Sequence, residues 1–283
     1  MKRLPILMLI AAVLTACTHS RQVHRKSNLM AYLYPEASAP PPTDPGGARL
    51  QLPLRIGVAF VPPDPPKTRW TPAVQTILPP DGEKRLVDIV RKSFQGRDWV
   101  SQIVTIPSSY LVARGGFENL QQVAQLMNVD VIALVSVDQM QSSDPRRLSF
   151  LYISIIGAYV LPLDRNETRT LIDAAVFHVP TRTFLLRAPG VSNITGSSSA
   201  VDVESKLRER SVKGFEMAMA DLSKNLDAEV GAFKASVASG ERQDVDIVTR
   251  EGKSVRSGGA FGFGELALLA LAAGLGARRK ARR

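Results

Sequence analysis

A single cysteine, Cys17, stands among 283 residues, so no disulfide can form within the chain and the fold must rest on its own core. Histidine is nearly as scarce. Of three, His19 and His24 fall in a proline-rich arm, leaving His178 as the one histidine of the central region, where it reads as a structural residue beside Phe177. No HExxH, CxxC or facial-triad spacing occurs, and Asp130, Asp138 and Asp144 are scattered rather than spaced as an ion-binding loop, so neither a metal nor another cofactor is expected. The G-x-S-x-G turn that exposes a serine nucleophile is missing as well, and no catalytic residue is assigned. Aromatic residues make up 6 % of the chain and do not interleave with basic ones in its centre, which removes the stacking platform that single-stranded nucleic acid needs. There is no internal repeat.

What the chain does have is positive charge, a formal net +10 that by itself points to an acidic partner. Its distribution says otherwise. Residues 257–283 hold +4 and residues 1–16 hold +2, which leaves +4 for everything between. Part of that remainder, Arg21, Arg25 and Lys26, lies just beyond Cys17, where anionic lipid head groups are natural neighbours. Nucleic acid is therefore not expected as a partner.

Both ends are apolar and both are flanked by basic residues. Lys2 and Arg3 precede an apolar run, 4–14, that is too short to span a bilayer and has the layout of a secretory signal closing on Leu14-Thr15-Ala16-Cys17. At the far end Gly258-Gly259-Ala260 leads into apolar residues 261–277. Counted from Ala260 this run would reach about 27 Å as a helix, enough for a thin hydrocarbon core. Gly258, Gly259, Gly262 and Gly264 crowd its start at about 1 kcal/mol of helix propensity each, so the first turn should fray. An intramembrane protease needs such an unwound entry. Arg278, Arg279, Lys280, Arg282 and Arg283 then end the chain as a basic stop that stays cytoplasmic.

Leu14-Thr15-Ala16-Cys17 resembles a bacterial lipobox, which implies Leu14, Thr15 and Ala16 as the signal peptidase recognition residues and Cys17 as the lipidated first residue of the mature chain. Thr18, standing where an Asp would retain such a protein, by the same resemblance favours the outer membrane. The Gly-Gly pair, span and basic stop resemble the GlyGly-CTERM sorting signal cleaved by rhombosortase. Together the two ends resemble the rhombotarget lipoprotein family. That resemblance implies export, an inner-membrane stage during maturation, and then a lipid-anchored place at the outer membrane or cell surface. The implied partners are membrane lipid, the lipoprotein-processing enzymes, a rhombosortase-like protease and an envelope protein whose identity the sequence does not give. Two alternatives stand beside it: a permanently tail-anchored lipoprotein, and an envelope hydrolase or ligand-binding enzyme with a site in the loop 62–80, which carries Trp70.

Patterning divides the chain into five stretches: a signal peptide (1–16), a Pro-rich tether (17–53), a periplasmic or surface domain (54–237), a polar linker (238–257) and the sorting signal (258–283). Within the domain, apolar residues 54–61 end at Pro62-Pro63 and read as a strand; 83–94 has helical spacing; 99–106 is a strand ended by Pro107; 117–127 is a helix stopped by Asn128; and 129–137 is a doubly covered strand. Residues 148–160, 170–179 and 183–188 read as antiparallel strands, and from about Asp202 a long closing helix shows one apolar face through Val212, Phe215, Met219, Leu222, Leu226 and Phe233. The expectation is a single α/β domain with a mixed sheet: βαβαβ, then antiparallel hairpins and a long C-terminal helix. Ser108-Ser109-Tyr110 with Arg114-Gly115-Gly116, and Ser197-Ser198-Ser199, read as turns and loops.

Overall fold

The computed structural model describes residues 21–35, 46–63, 78, 80–145, 164–199, 201–249, 252 and 254. In chain order these form β1 (Arg21–Lys26), α1 (Leu29–Leu33), β2 (Ala48–Gln51), β3 (Leu54–Phe60), α2 (Pro80–Phe94), β4 (Val100–Ile106), a 3-10 turn (Ser108–Tyr110), α3 (Gly116–Met127), β5 (Val131–Pro145), β6 (Asp164–His178), β7 (Thr183–Ser198), α4 (Val203–Ala238) and β8 (Val245–Val248). The strands make a six-stranded mixed sheet ordered β4-β3-β5-β6-β7, with β1 also paired to β5. β2 and β8 pair separately, in parallel. The chain is thus the expected α/β domain with a mixed sheet and a long C-terminal helix.

β3 lies between β4 and β5 and is parallel to both. Parallel crossovers are right-handed, so the step from β3 out to β4 and the return across β3 to β5 place their helices on opposite faces. The two cores follow that rule. On one face Val87, Val90 and Phe94 of α2 meet Phe215, Met219 and Leu222 of α4. On the other, Phe117, Leu120 and Val123 of α3 pack on Ile132, Leu134 and Phe177. α3 ends on Asn128, left-handed at φ 53°, whose N–H reaches the Ala124 and Gln125 carbonyls, a conformation asparagine tolerates better than most residues.

β5 exceeds the expected 129–137 strand because its far half has partners of its own. One edge of β5 is shared: residues 131–135 pair with β3 and residues 138–143 pair, antiparallel, with β1. Over that far half the face beneath α4 is polar. Gln139 donates to Thr170 Oγ1 (2.8 Å) and the Ser211 carbonyl (3.1 Å) and accepts from Ser211 Oγ (2.6 Å). Gln141 donates to the Leu207 carbonyl (2.6 Å) and accepts from Arg25 Nη1 (2.8 Å). Buried amides of this kind are stable only when paired, and here they fix the register of helix on sheet. Further along, α4 comes so close to β7 that a Cβ on Gly190 would overlap the Ala218 carbonyl oxygen.

Three expectations change. Residues 21–35 and 48–53 are not a tether: β1 is a sheet strand, Tyr32 and Leu33 are buried against α3, and Ala48 and Leu50 alternate inward from β2. Proline and glycine density hid these short elements, because Pro35, Pro40, Pro41, Pro42 and Pro45 stand beside them and not within them. The linker 238–257 likewise contains β8, whose Val245 and Ile247 bury themselves with Val131 and Leu185. β7 continues to Ser198, so Ser197 and Ser198 belong to a strand and not to a loop. The strand expected at 148–160 lies outside the described residues.

Candidate functional site

Leu14, Thr15, Ala16 and Cys17, Gly258, Gly259 and Ala260, and the basic stop Arg278, Arg279, Lys280, Arg282 and Arg283 all lie outside the described residues, as does Trp70 with residues 64–77 of its loop. The polar residues of the domain lie inside, and they are dispersed. His178 Nδ1 is 2.7 Å from Thr181 Oγ1 at the turn into β7; burial holds the imidazole below its ordinary value, against the pull of Asp130. Asp130 accepts the Arg55 backbone N–H (2.7 Å) and its guanidinium (3.1 Å). Asp138 takes His24 (2.7 Å) and Lys26 (3.6 Å). Ser108, Ser109 and Tyr110 form the 3-10 turn, with the Ser108 N–H donating to Glu83 Oε2 (3.2 Å). Among the described residues, no group of three or more His, Cys, Asp or Glu is arranged to hold a metal ion.

Glu83 is the residue that sequence reading missed. It was legible as the acidic first turn of a helix, which a helix dipole favours. In the fold it is 3 % exposed at the ends of β3 and β4, and burial pushes its carboxyl up despite the Ser108 hydrogen bonds.

The face of β5, β6 and β7 opposite α4 is the more distinctive surface. α3 and α1 cover only its near part. Beyond them Met140, Leu171, Phe184 and Val191 are 41–59 % exposed, and Met30 of α1 is 60 % exposed beside them. A groove of about 630 Å³ runs where α1 meets the sheet, between Met30, Leu33, Asp138, Leu171, Phe184 and Arg187. Its charged residues are paired with one another: Arg187 Nε with both oxygens of Asp173 (2.7 and 2.9 Å) and Lys26 with Asp138 (3.6 Å), and Arg169 pairs with Glu167 (2.7 Å) further along the same face. An apolar centre with neutralised charges around it is the composition of a protein-binding surface.

The free edge of β7 is capped at several points. Asp221 accepts the Val191 N–H (3.0 Å), Asn225 donates to the Pro189 carbonyl (2.8 Å), Arg210 to the Ser197 carbonyl (3.0 Å), and Arg242 to the carbonyls of Leu185 and Phe184 (2.9 and 2.7 Å). These side chains occupy several of the groups an added strand would need.

Beneath the C-terminal half of α4 lies a second feature, an apolar cavity of about 270 Å³. Every lining residue is aliphatic or aromatic except Lys234. Leu226, Val230, Phe233 and Lys234 form one part-exposed stripe of the helix and, with Trp99 opposite, rim the space.

No protein-family model matches the chain, and neither does any curated protein. Among solved structures, a PelC dodecamer from Paraburkholderia phytofirmans is 10 % identical with a TM-score of 0.28, over 72 % of this chain and 99 % of that one. A second PelC dodecamer from the same organism is 8 % identical at 0.27, with the same coverage. A Xanthomonas campestris protein of the DUF330 family is 12 % identical at 0.27, over 69 % of this chain and 93 % of its own. Likeness at this level carries no functional argument.

Proposed function

We propose that the chain is a non-enzymatic cell-envelope lipoprotein, lipidated at Cys17 and trimmed near Gly258-Gly259-Ala260 by a rhombosortase-like intramembrane protease. It works by docking another envelope protein on the open face of its sheet. The observation that carries this reading is that face, an exposed apolar centre ringed by paired charges beside a partly capped strand edge. The position of β1 supports the membrane part. The strand begins four residues after Cys17, a separation of at most about 14 Å, so an acyl group there would hold the domain directly against the lipid. Arg25 and Lys26 of β1 would then lie near anionic head groups.

Two measurements test the reading. Intact-mass spectrometry of membrane-extracted protein should find Cys17 acylated and the basic tail gone, with acyl label absent from Cys17→Ser and the tail retained when Gly258 and Gly259 are both leucine. A mature wild-type mass that includes Arg283 would overturn the processing. A photo-crosslinking amino acid at Leu171 should give one discrete adduct that Val191→Arg abolishes; an adduct pattern indifferent to Val191→Arg would overturn the docking face.

A further inference from the structure

The cavity under α4 is too large for a packed interior, where voids bigger than a water molecule are few. Water does not fill it, because a buried water needs two to four polar partners and the walls offer only Lys234. Its volume matches about nine water-sized groups, and methylenes are of similar size. A straight alkyl chain of about that many carbons has this volume; a helix, about 10 Å across with its side chains, is far larger.

The rim indicates the head group. Lys234 Nζ lies 4.5 Å from the centroid of the Trp99 ring, and among the described residues it has no ion pair. The other charges facing it are Arg97, Asp227 and Asp98. Arg97 and Asp227 are engaged with each other at 2.7 Å, and Asp98 acts from beyond ion-pair distance. A half-buried ammonium that lacks a close counter-ion, at the mouth of an otherwise apolar space, is complementary to a carboxylate on an alkyl chain.

The attachment point of the chain's own lipid lies well away along the strand. Arg21 pairs with Ser143, whereas the cavity touches β5 at Val131, Ala133 and Val135, eight or more residues or about 26 Å further on. An acyl chain on Cys17 is the rival occupant, and Cys17→Ser removes it.

We infer that this cavity is a binding site for a free straight-chain fatty acid, its alkyl tail between α4 and the sheet and its carboxylate on Lys234. The inference is independent of how the termini are processed.

The test is photolabelling of the full chain in phospholipid nanodiscs with a diazirine-bearing dodecanoate, followed by peptide mapping. Adducts are expected in the segments around Trp99 and between Leu222 and Lys234, and excess dodecanoate should compete them away. Lys234→Met should cut this labelling about tenfold, the loss expected for one charge-assisted contact, and leave labelling by the matching diazirine alcohol unchanged. Leu222→Trp, which fills the cavity, should abolish both. If circular dichroism shows that variant unfolded, Ala174→Leu makes the same test from the sheet side. Cys17→Ser should label like wild type. Adducts elsewhere only, labelling indifferent to the filling variants, equal effects of Lys234→Met on acid and alcohol, or labelling lost in Cys17→Ser would each overturn the assignment.

Discussion

At the scale of single residues, burial outweighs local preference in the most consequential places. Glu83 sits in the first turn of α2, where a helix end favours a negative charge, yet loss of water around it raises its carboxyl above the ordinary value. The folded state therefore binds this proton more readily than the unfolded one. That contribution to stability is fully present below the unfolded pKa and is lost as pH rises through the raised one. Glu83→Gln keeps an acceptor for the Ser108 N–H and removes the charge. Its thermal midpoint, followed by calorimetry, should exceed wild type at pH 7 by a few degrees, about 1 kcal/mol, and the difference should vanish near pH 4. His178 has the opposite sign. Its depressed imidazole adds stability above its unfolded value and loses it as pH falls. Lys234 shows what a sequence cannot reveal: eight places after Leu226 it falls on the same helical stripe, yet its charge reads as solvent-facing. Only the arrival of Trp99 from the other end of α2 makes it the rim of a cavity.

At the scale of elements, long apolar periods were legible and short or polar ones were not. The βαβαβ order, the Asn128 stop and the start of α4 near Asp202 could be read because each rests on local chemistry. Asp202 accepts both the N–H and the hydroxyl of Ser199 at 2.7 Å, which holds its carboxyl below the usual range. β1, β2 and β8 escaped because four to six residues give too little period to register, and their partners are more than a hundred positions away. The polar run in β5 escaped for another reason: alternating Gln139 and Gln141 look solvated until α4 supplies their partners. β8 is also held through Arg242, which grips Asp244 with two nitrogens (2.7 and 2.8 Å) while capping the end of β7. Arg242→Ala should cost about 2 kcal/mol and speed hydrogen exchange in β8 and at Leu185 while leaving β3 protected. Uniform loss of protection across the sheet would show instead that β8 is part of the global unit.

At the scale of the whole molecule, the two proposed attachment motifs adjoin places far apart on the domain. β1 starts opposite Ser143, at one end of β5, while β8 packs with Val131 near the other; the twelve intervening steps cover about 40 Å. Ser254, bridged to Val248, is only four residues short of Gly258. In the proposed precursor the protein is bonded to lipid at both extremities, by leashes of no more than about 14 Å each. In the trimmed form one bond remains. Paramagnetic quenching from lipid-embedded labels should therefore reach spin-sensitive probes at both Gln22 and Glu241 when Gly258 and Gly259 are leucine, but only the Gln22 probe in the wild type. Equal quenching at Glu241 in the two forms would remove the difference in attitude.

The shared edge of β5 thus acquires a mechanical meaning. A plank pinned to a floor at both tips lies along it, and whatever its broad side carries is confined to the plane. Withdraw one pin and the plank can tilt upright. The cut would then change nothing in the shape of the domain and everything in which way it points.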